Sequence, residues 1–176
     1  LLASALRRAC KINGEPVIQL KTAFGGGKTP TMLALYHLFS DKKTQKLPLI
    51  KLLLDELKIK EVPNASIAIL VGTAIDPAKP KIIDGQKINT LWGYMAYQLG
   101  KNKGFEYVKQ ADQKGVAPGA DTLVELFNEF GPCIILIDEL VAYARNIYNK
   151  EGLSCGSFES LMTFVQNLTE ATKRSN

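Results

Sequence analysis

Thr22-Ala23-Phe24-Gly25-Gly26-Gly27-Lys28-Thr29 lies between a short apolar run, Pro16 to Leu20, and a helical pattern from Thr31 to Phe39. A glycine-rich turn between a strand and a helix, closing on Lys-Thr, has the form of a phosphate-binding loop. Glycines let successive backbone N–H groups converge on phosphate oxygens, where a side chain would block the approach. The following helix adds its unpaired N-terminal N–H groups and the positive end of its dipole. Lys28 supplies charge for the outer phosphates, and the Thr29 hydroxyl is a Mg²⁺ ligand. The octet departs from the usual pattern at its first position, where Thr22 stands in place of glycine. Taken alone, it also fits an ordinary glycine-rich turn before a helix.

A second stretch narrows the reading. Pro132-Cys133-Ile134-Ile135-Leu136-Ile137 is an apolar strand pattern ending in Asp138-Glu139. Parallel strands set side by side bring their C-terminal ends to one edge, so a loop leaving one strand can meet carboxylates leaving another. Asp138 then holds Mg²⁺ through a bound water, and Glu139 orients or deprotonates the attacking water. An isolated acidic pair after a strand can simply open a helix; joined to Gly-Gly-Gly-Lys-Thr it predicts a hydrolytic nucleotide site. The adjacent glutamate favours the branch of P-loop proteins that contains AAA+, RecA-like and related motor ATPases. Arg145, on the helix after Glu139, is a candidate arginine finger in cis, weighed against an ordinary surface role.

The expected fold is α/β: a three-layer P-loop NTPase with a mostly parallel sheet flanked by helices, ending before the sensor strand. Residues 1–176 are expected to form a single P-loop ATPase domain, the N-terminal part of a longer ATPase module. Hydrophobic residues at 46% and charged ones at 22% are globular values and exclude disorder. The net charge of +5 permits an anionic partner. The lysines are scattered, though, and the densest groups, Arg7-Arg8-Lys11 and Lys42-Lys43-Lys46, make no basic stripe with interleaved aromatics. Cys10, Cys133 and Cys155 lack metal-ligand spacing and fit a reducing cytoplasm. His37 is the only histidine, which excludes a His-rich metal site or a local Ser-His-Asp triad. No apolar run reaches membrane-spanning length, so no membrane partner is expected.

Periodicity supplies the remaining elements. Leu2, Leu6 and Ala9 share a helix face, as do Met32, Leu35, Tyr36 and Phe39, and then Ile50, Leu53, Leu54 and Leu57. Pro16 to Leu20 reads as the strand that feeds the loop. Ser66 to Val71 reads as a strand covered on both faces, followed by a long loop with a short hairpin around Lys81 to Ile88. Thr90 to Leu99 reads as a helix stopped by Gly100, with Trp92 as packing rather than base stacking. Thr122-Leu123-Val124-Glu125 has capping-box spacing and opens a helix ending near Gly131. Leu140 to Tyr148 continues as a helix with Val141, Ala144 and Tyr148 on a common face. A last helix carries Phe158, Leu161, Met162, Val165 and Leu168.

The stretches GGGKT (25–29), ALYHL (34–38), TLWGYMAYQLG (90–100), KGVAPGADTL (114–123), GPCIILIDELVAYAR (131–145) and MTFVQNLTEAT (162–172) resemble a prokaryotic ATPase family known as domain of unknown function 499. The likeness runs from about Gln19 to Thr172. It implies an AAA+-superfamily-like cytoplasmic ATPase within a larger polypeptide, with ATP as the nucleotide. It also implies an association with phage-defence gene clusters beside DNA methyltransferases, and so with DNA. Its loop maps onto Gly25, Gly26, Gly27, Lys28 and Thr29, and its acidic pair onto Asp138 and Glu139. Pro30 stands where that family is expected to carry histidine, which puts any imidazole role there in doubt. The residues leave base preference and a homo-oligomeric state open. The leading expectation is Mg²⁺-dependent ATP binding and hydrolysis, with Lys28 and Glu139 as the catalytic pair. The alternative is a nucleotide-binding regulatory scaffold with little hydrolysis, and a small-molecule phosphotransferase stands third.

Overall fold

The computed structural model describes residues 1–21 and 26–175. Its described elements are α1 (Leu2–Ala9), α2 (Lys28–Ser40), a 3₁₀ turn (Thr44–Lys46), α3 (Pro48–Leu57), β1 (Ser66–Val71), β2 (Lys81–Ile83), β3 (Gln86–Ile88), α4 (Leu91–Lys114), α5 (Ala120–Phe130), β4 (Cys133–Asp138), α6 (Leu140–Ile147) and α7 (Phe158–Arg174). The fold is mixed α/β around a small parallel sheet. β1 pairs with β4 in the register Ser66 with Cys133 through Val71 with Asp138. β2 and β3 form a separate antiparallel hairpin.

Side chains alternate across the two paired strands, and each face of the sheet collects its own apolar cluster. Ala68 and Leu70 join Trp92, Met95, Phe105, Leu123, Phe164 and others from α4, α5 and α7. Leu136, with Ile67 and Ile134 beside it, joins Leu6, Leu35, Leu38, Phe39 and Leu54 from α1, α2 and α3. The helix stripes expected on α1 and α3 are therefore the faces that pack, while on α2 Leu35, Tyr36 and Phe39 pack together with Leu38, and Met32 joins neither cluster. Trp92 is buried with its ring 5.5 Å from that of Phe164, a core contact as expected.

Several expectations need correction. Pro16 to Leu20 forms no strand: no ladder includes it, and Val17 and Ile18 stay 41% and 40% exposed. Its apolar, β-prone composition lacks a neighbouring strand to bond with. The sheet of the described residues thus has two parallel strands, short of the larger sheet expected. Gly100 breaks α4 without ending it. Gly100 and Lys101 leave helical dihedrals, and a second helical arm follows to Lys114. Asp112 near the end of the second arm bonds to Asn89 and Thr90 at the start of the first, so the arms fold back on each other. Helix α5 begins at Ala120 with Gly119 at its N-cap, so Thr122 lies inside the helix and makes no capping box. On α6 the core face is Tyr143 and Ile147, while Val141 and Tyr148 are exposed and Tyr148 lies just beyond the helix.

Candidate functional site

The site is assembled where α2 begins and β4 ends. Gly27 caps α2 with φ 78°, a left-handed backbone that costs a side-chain-bearing residue about 1–2 kcal/mol and glycine little. Gly27 has no side chain with which to cap the first-turn N–H groups. Pro30 falls in that first turn, where its missing N–H removes no helical bond. Thr31 Oγ1 donates to Gly27 O at 2.6 Å and tightens the turn. Lys28 and Thr29 are the first two helical residues, and both side chains leave from the loop end of α2. Gly25, with Thr22 to Phe24, lies outside the described residues, so its expected place in the cradle is not described.

Thr29 Oγ1 donates to Asp138 Oδ2 at 3.1 Å, across 109 residues of sequence. The hydroxyl of the glycine-rich turn and the first carboxylate of the acidic pair are therefore brought together. The other Asp138 oxygen accepts from the Glu139 N–H at 2.9 Å, which fixes the carboxylate plane. Glu139 takes a left-handed backbone, φ 52°, as the N-cap of α6, and its side chain stays exposed. That turn points the two consecutive carboxylates in different directions.

Thr73 was not legible as a site residue. Its Oγ1 donates to Glu139 Oε2 at 2.5 Å, from the second position past the end of β1. Gly72 makes the contact feasible. Its N–H donates to Asp138 O at 2.9 Å, and a Cβ there would sit 2.1 Å from the Glu139 carbonyl oxygen. The available signal was positional: a small residue and a hydroxyl directly after an apolar strand, on the edge where β4 also ends.

Arg145 is exposed on α6 and makes no ion pair among the described residues. His37 is exposed and packs edge-on to Tyr36, with ring centroids 5.2 Å apart. Burial pushes the Cys133 thiol up to about 12, in keeping with a packing role for this residue. Among the described residues no three His, Cys, Asp or Glu side chains cluster as a metal cage. A Mg²⁺ ion needs none, because it keeps several waters and takes one or two protein oxygens plus phosphates. The Thr29 hydroxyl beside the Asp138 carboxylate is such an oxygen pair. No helix among the described residues is long and apolar enough to cross a membrane.

Fold and site together define a mixed α/β protein with a helix N-terminus, a hydroxyl and two carboxylates at the C-terminal edge of a parallel sheet. The chain belongs to the DUF499 N-terminal domain family, whose model matches residues 3–176. No curated protein and no solved structure matches it.

Proposed function

We propose that this domain is a P-loop NTPase that binds and hydrolyses ATP with Mg²⁺. The observation that carries the reading is the 3.1 Å contact between Thr29 Oγ1 and Asp138 Oδ2. Few purposes other than a shared metal would unite a Gly-Gly-Lys-Thr helix start with a strand-end carboxylate so distant in sequence. On this reading Gly25, Gly26, Gly27 and the first turn of α2 offer N–H groups to the phosphates, and Lys28 adds its charge. Thr29 and Asp138 would hold Mg²⁺, which when bound neutralises charge on the phosphates. Glu139 orients the attacking water and accepts its proton, while the Thr73 hydroxyl fixes its carboxylate. The proposed fold is the three-layer P-loop type with a mostly parallel sheet.

The choice of ATP, the cytoplasmic setting and a role in a larger defence or DNA-processing protein rest on the family resemblance. So does any link to DNA, to a methyltransferase complex or to a homo-oligomer. A regulatory scaffold that binds nucleotide with little turnover is the second reading. It is favoured by one observation, the engagement of the Glu139 carboxylate by Thr73.

Nucleotide titration followed by thermal melting tests the proposal. Mg²⁺-ATP at a hundredfold excess over Kd should stabilise the fold by about 2.7 kcal/mol, or roughly 5–10 °C for a chain of this size. Lys28→Ala should abolish the shift. Glu139→Gln should keep the shift and slow turnover by at least ~10². Absence of any shift with Mg²⁺-ATP or Mg²⁺-GTP would refute the binding claim. A shift without turnover in the wild-type chain would select the scaffold.

A further inference from the structure

The β2–β3 hairpin has one face on the core and one face turned to solvent. Residues opposite each other on paired antiparallel strands share a face. The register therefore groups Lys81, Ile83, Gln86 and Ile88 on one face and Ile82 with Lys87 on the other. Ile88 is buried and Ile83 packs beside it against the core cluster that includes α4, so theirs is the inner face. Outward stand Ile82, 76% exposed, and Lys87, also exposed. Singly exposed aliphatics are common, and Ile82 alone would need no explanation. Its surroundings give it meaning.

Lysines from two elements converge on this hairpin. Lys79 is exposed, two residues before β2. Lys81 Nζ lies 4.1 Å from the centroid of the Tyr94 ring on α4. Lys101 Nζ lies 5.5 Å from that of Tyr97, whose hydroxyl donates to Asp84 Oδ2 in the turn between β2 and β3. Lys101 is thereby stationed beside the hairpin turn. The two carboxylates of the segment from Gly72 to Lys87 are engaged by neutral donors, Asp84 by the Tyr97 hydroxyl and Asp76 by the Ala78 N–H at 2.9 Å. Among the described residues Lys79, Lys81, Lys87 and Lys101 make no ion pair. Lysines scattered in sequence thus become a patch interleaved with tyrosines once the hairpin lies on α4.

Lys101 carries a second mark. Its backbone stands at φ 53° and ψ −141°, far from the left-handed helical well and in a region costly to any residue with a Cβ. The neighbouring Gly100 does not take that conformation; its φ is −135°. Glycine is needed there for packing, because a Cβ would sit 2.5 Å from the Phe130 ring. The kink of α4 therefore places its strain on an exposed lysine, and strain of this kind collects at functional sites.

Charge and shape select the partner. A two-stranded ribbon is narrow enough to enter the major groove of B-form DNA, about 12 Å wide. Lysines around the ribbon then meet phosphates, while an outward apolar side chain faces the bases. The outward pair, Ile82 and Lys87, includes no Arg, Asn or Gln fork for a base edge, so such binding reads no sequence. A membrane would need a broader apolar face than one isoleucine. A protein partner would need the aromatic or aliphatic interface core that this face lacks.

We propose that the β2–β3 hairpin, with Lys79, Lys81, Lys87 and Lys101 around Ile82, is a duplex-DNA-binding ribbon that grips the phosphodiester backbone without reading sequence. It stands apart from the Thr29–Asp138 site and needs neither ATP nor Mg²⁺.

Fluorescence anisotropy of labelled DNA duplexes, without nucleotide, tests the proposal. Two duplexes of unrelated sequence should bind with affinities within about threefold of each other. With three or four phosphate contacts, log affinity should fall with log salt at a slope of about −3. Lys87→Glu and Lys101→Glu should each weaken binding at least ~10-fold, and Lys87→Ala should reduce the salt slope by about 1. Ile82→Ser should weaken binding ~3-fold or more at an unchanged slope, since it removes an apolar contact and no charge. Lys42→Glu combined with Lys43→Glu is the control, because both residues are exposed in the turn after α2, whose Leu38 and Phe39 belong to the other core cluster. That pair should change affinity less than ~2-fold. All five positions are exposed, so each variant should melt within about 2 °C of wild type. Absence of binding at about 50 mM salt would overturn the proposal. So would an equal loss in the Lys42 and Lys43 control, an unchanged affinity in Ile82→Ser, or a preference of roughly tenfold between the two duplexes. Tighter binding to polyglutamate or to phosphatidylserine vesicles than to DNA would also overturn it, by assigning the patch to an acidic protein or a membrane.

Discussion

Asp112→Ala should be the most damaging single polar substitution in this chain. The residue is fully buried at the end of the second arm of α4. Its carboxylate accepts from Asn89 N at 3.1 Å, Asn89 Nδ2 at 3.0 Å, Thr90 N at 2.9 Å and Thr90 Oγ1 at 2.6 Å. Thr90 Oγ1 in turn accepts from Gly93 N at 3.0 Å, which caps the first arm. One side chain thus fixes the start of α4, the end of α4 and the strand leading into them. Alanine would leave two backbone N–H groups and a hydroxyl in a site where Thr90 is itself buried. At about 1–3 kcal/mol for each stranded donor, and allowing for partial relaxation, the loss should be about 3–5 kcal/mol. That corresponds to a melting temperature lower by roughly 10 °C or more in a chain of this size. Asp112→Asn keeps one acceptor oxygen but turns an NH₂ toward donors, so about half that loss is expected. Urea unfolding followed by far-UV circular dichroism measures both. A loss below about 1 kcal/mol in the alanine variant, at unchanged m-value, would refute this account of how the arms are held.

Thr73→Val should leave Mg²⁺-ATP affinity within about twofold and change turnover by up to roughly tenfold, since a hydrogen bond to a charged group is worth about 1.5–3 kcal/mol and Glu139 is exposed; an affinity loss with unchanged turnover would remove Thr73 from the positioning role. Gly27→Ala should destabilise by about 1–2 kcal/mol through its left-handed backbone, because a Cβ there meets no atom of the described residues within 4 Å; melting within a degree of wild type would show that the turn relaxes. Cys133, with its thiol pushed up to about 12 by burial, keeps its proton in the folded state at pH values where the unfolded chain has lost it. Stability should therefore be complete below about pH 8.5 and decline as pH rises toward 12. Burial also raises the Tyr143 hydroxyl, which adds to the same decline above pH 10. Cys133→Ala should flatten the slope of urea midpoint against pH between 8 and 11, and parallel slopes would refute it.

The parts of the fold that sequence revealed are those where local chemistry has one outcome. The apolar runs Ser66–Val71 and Pro132–Ile137 became the paired strands, and the short hairpin expected around Lys81 to Ile88 is β2 and β3. Helix α2 begins at Lys28 because Gly27 closes a turn that needs glycine. The second arm of α4 was hidden behind Gly100, which signals a stop when read alone. What carries the chain on is a partner far along the sequence, Asp112, whose bonds to Asn89 and Thr90 hold the two arms together. Thr73 was hidden for a related reason, since a lone threonine in a loop carries no periodicity.

Lys28, Thr29, Asp138 and Glu139 were named from residue type and spacing, and the sequence by itself determined that these chemistries exist in the chain and on which elements they lie. Only the tertiary structure decided that Thr29 meets Asp138, that Glu139 turns away to Thr73, and that Pro16–Leu20 makes no ladder. Helices close their hydrogen bonds within a few residues, so local sequence suffices to specify them. A strand is completed only by a neighbour, and a site only by side chains from separate elements, so both depend on where the rest of the chain is packed.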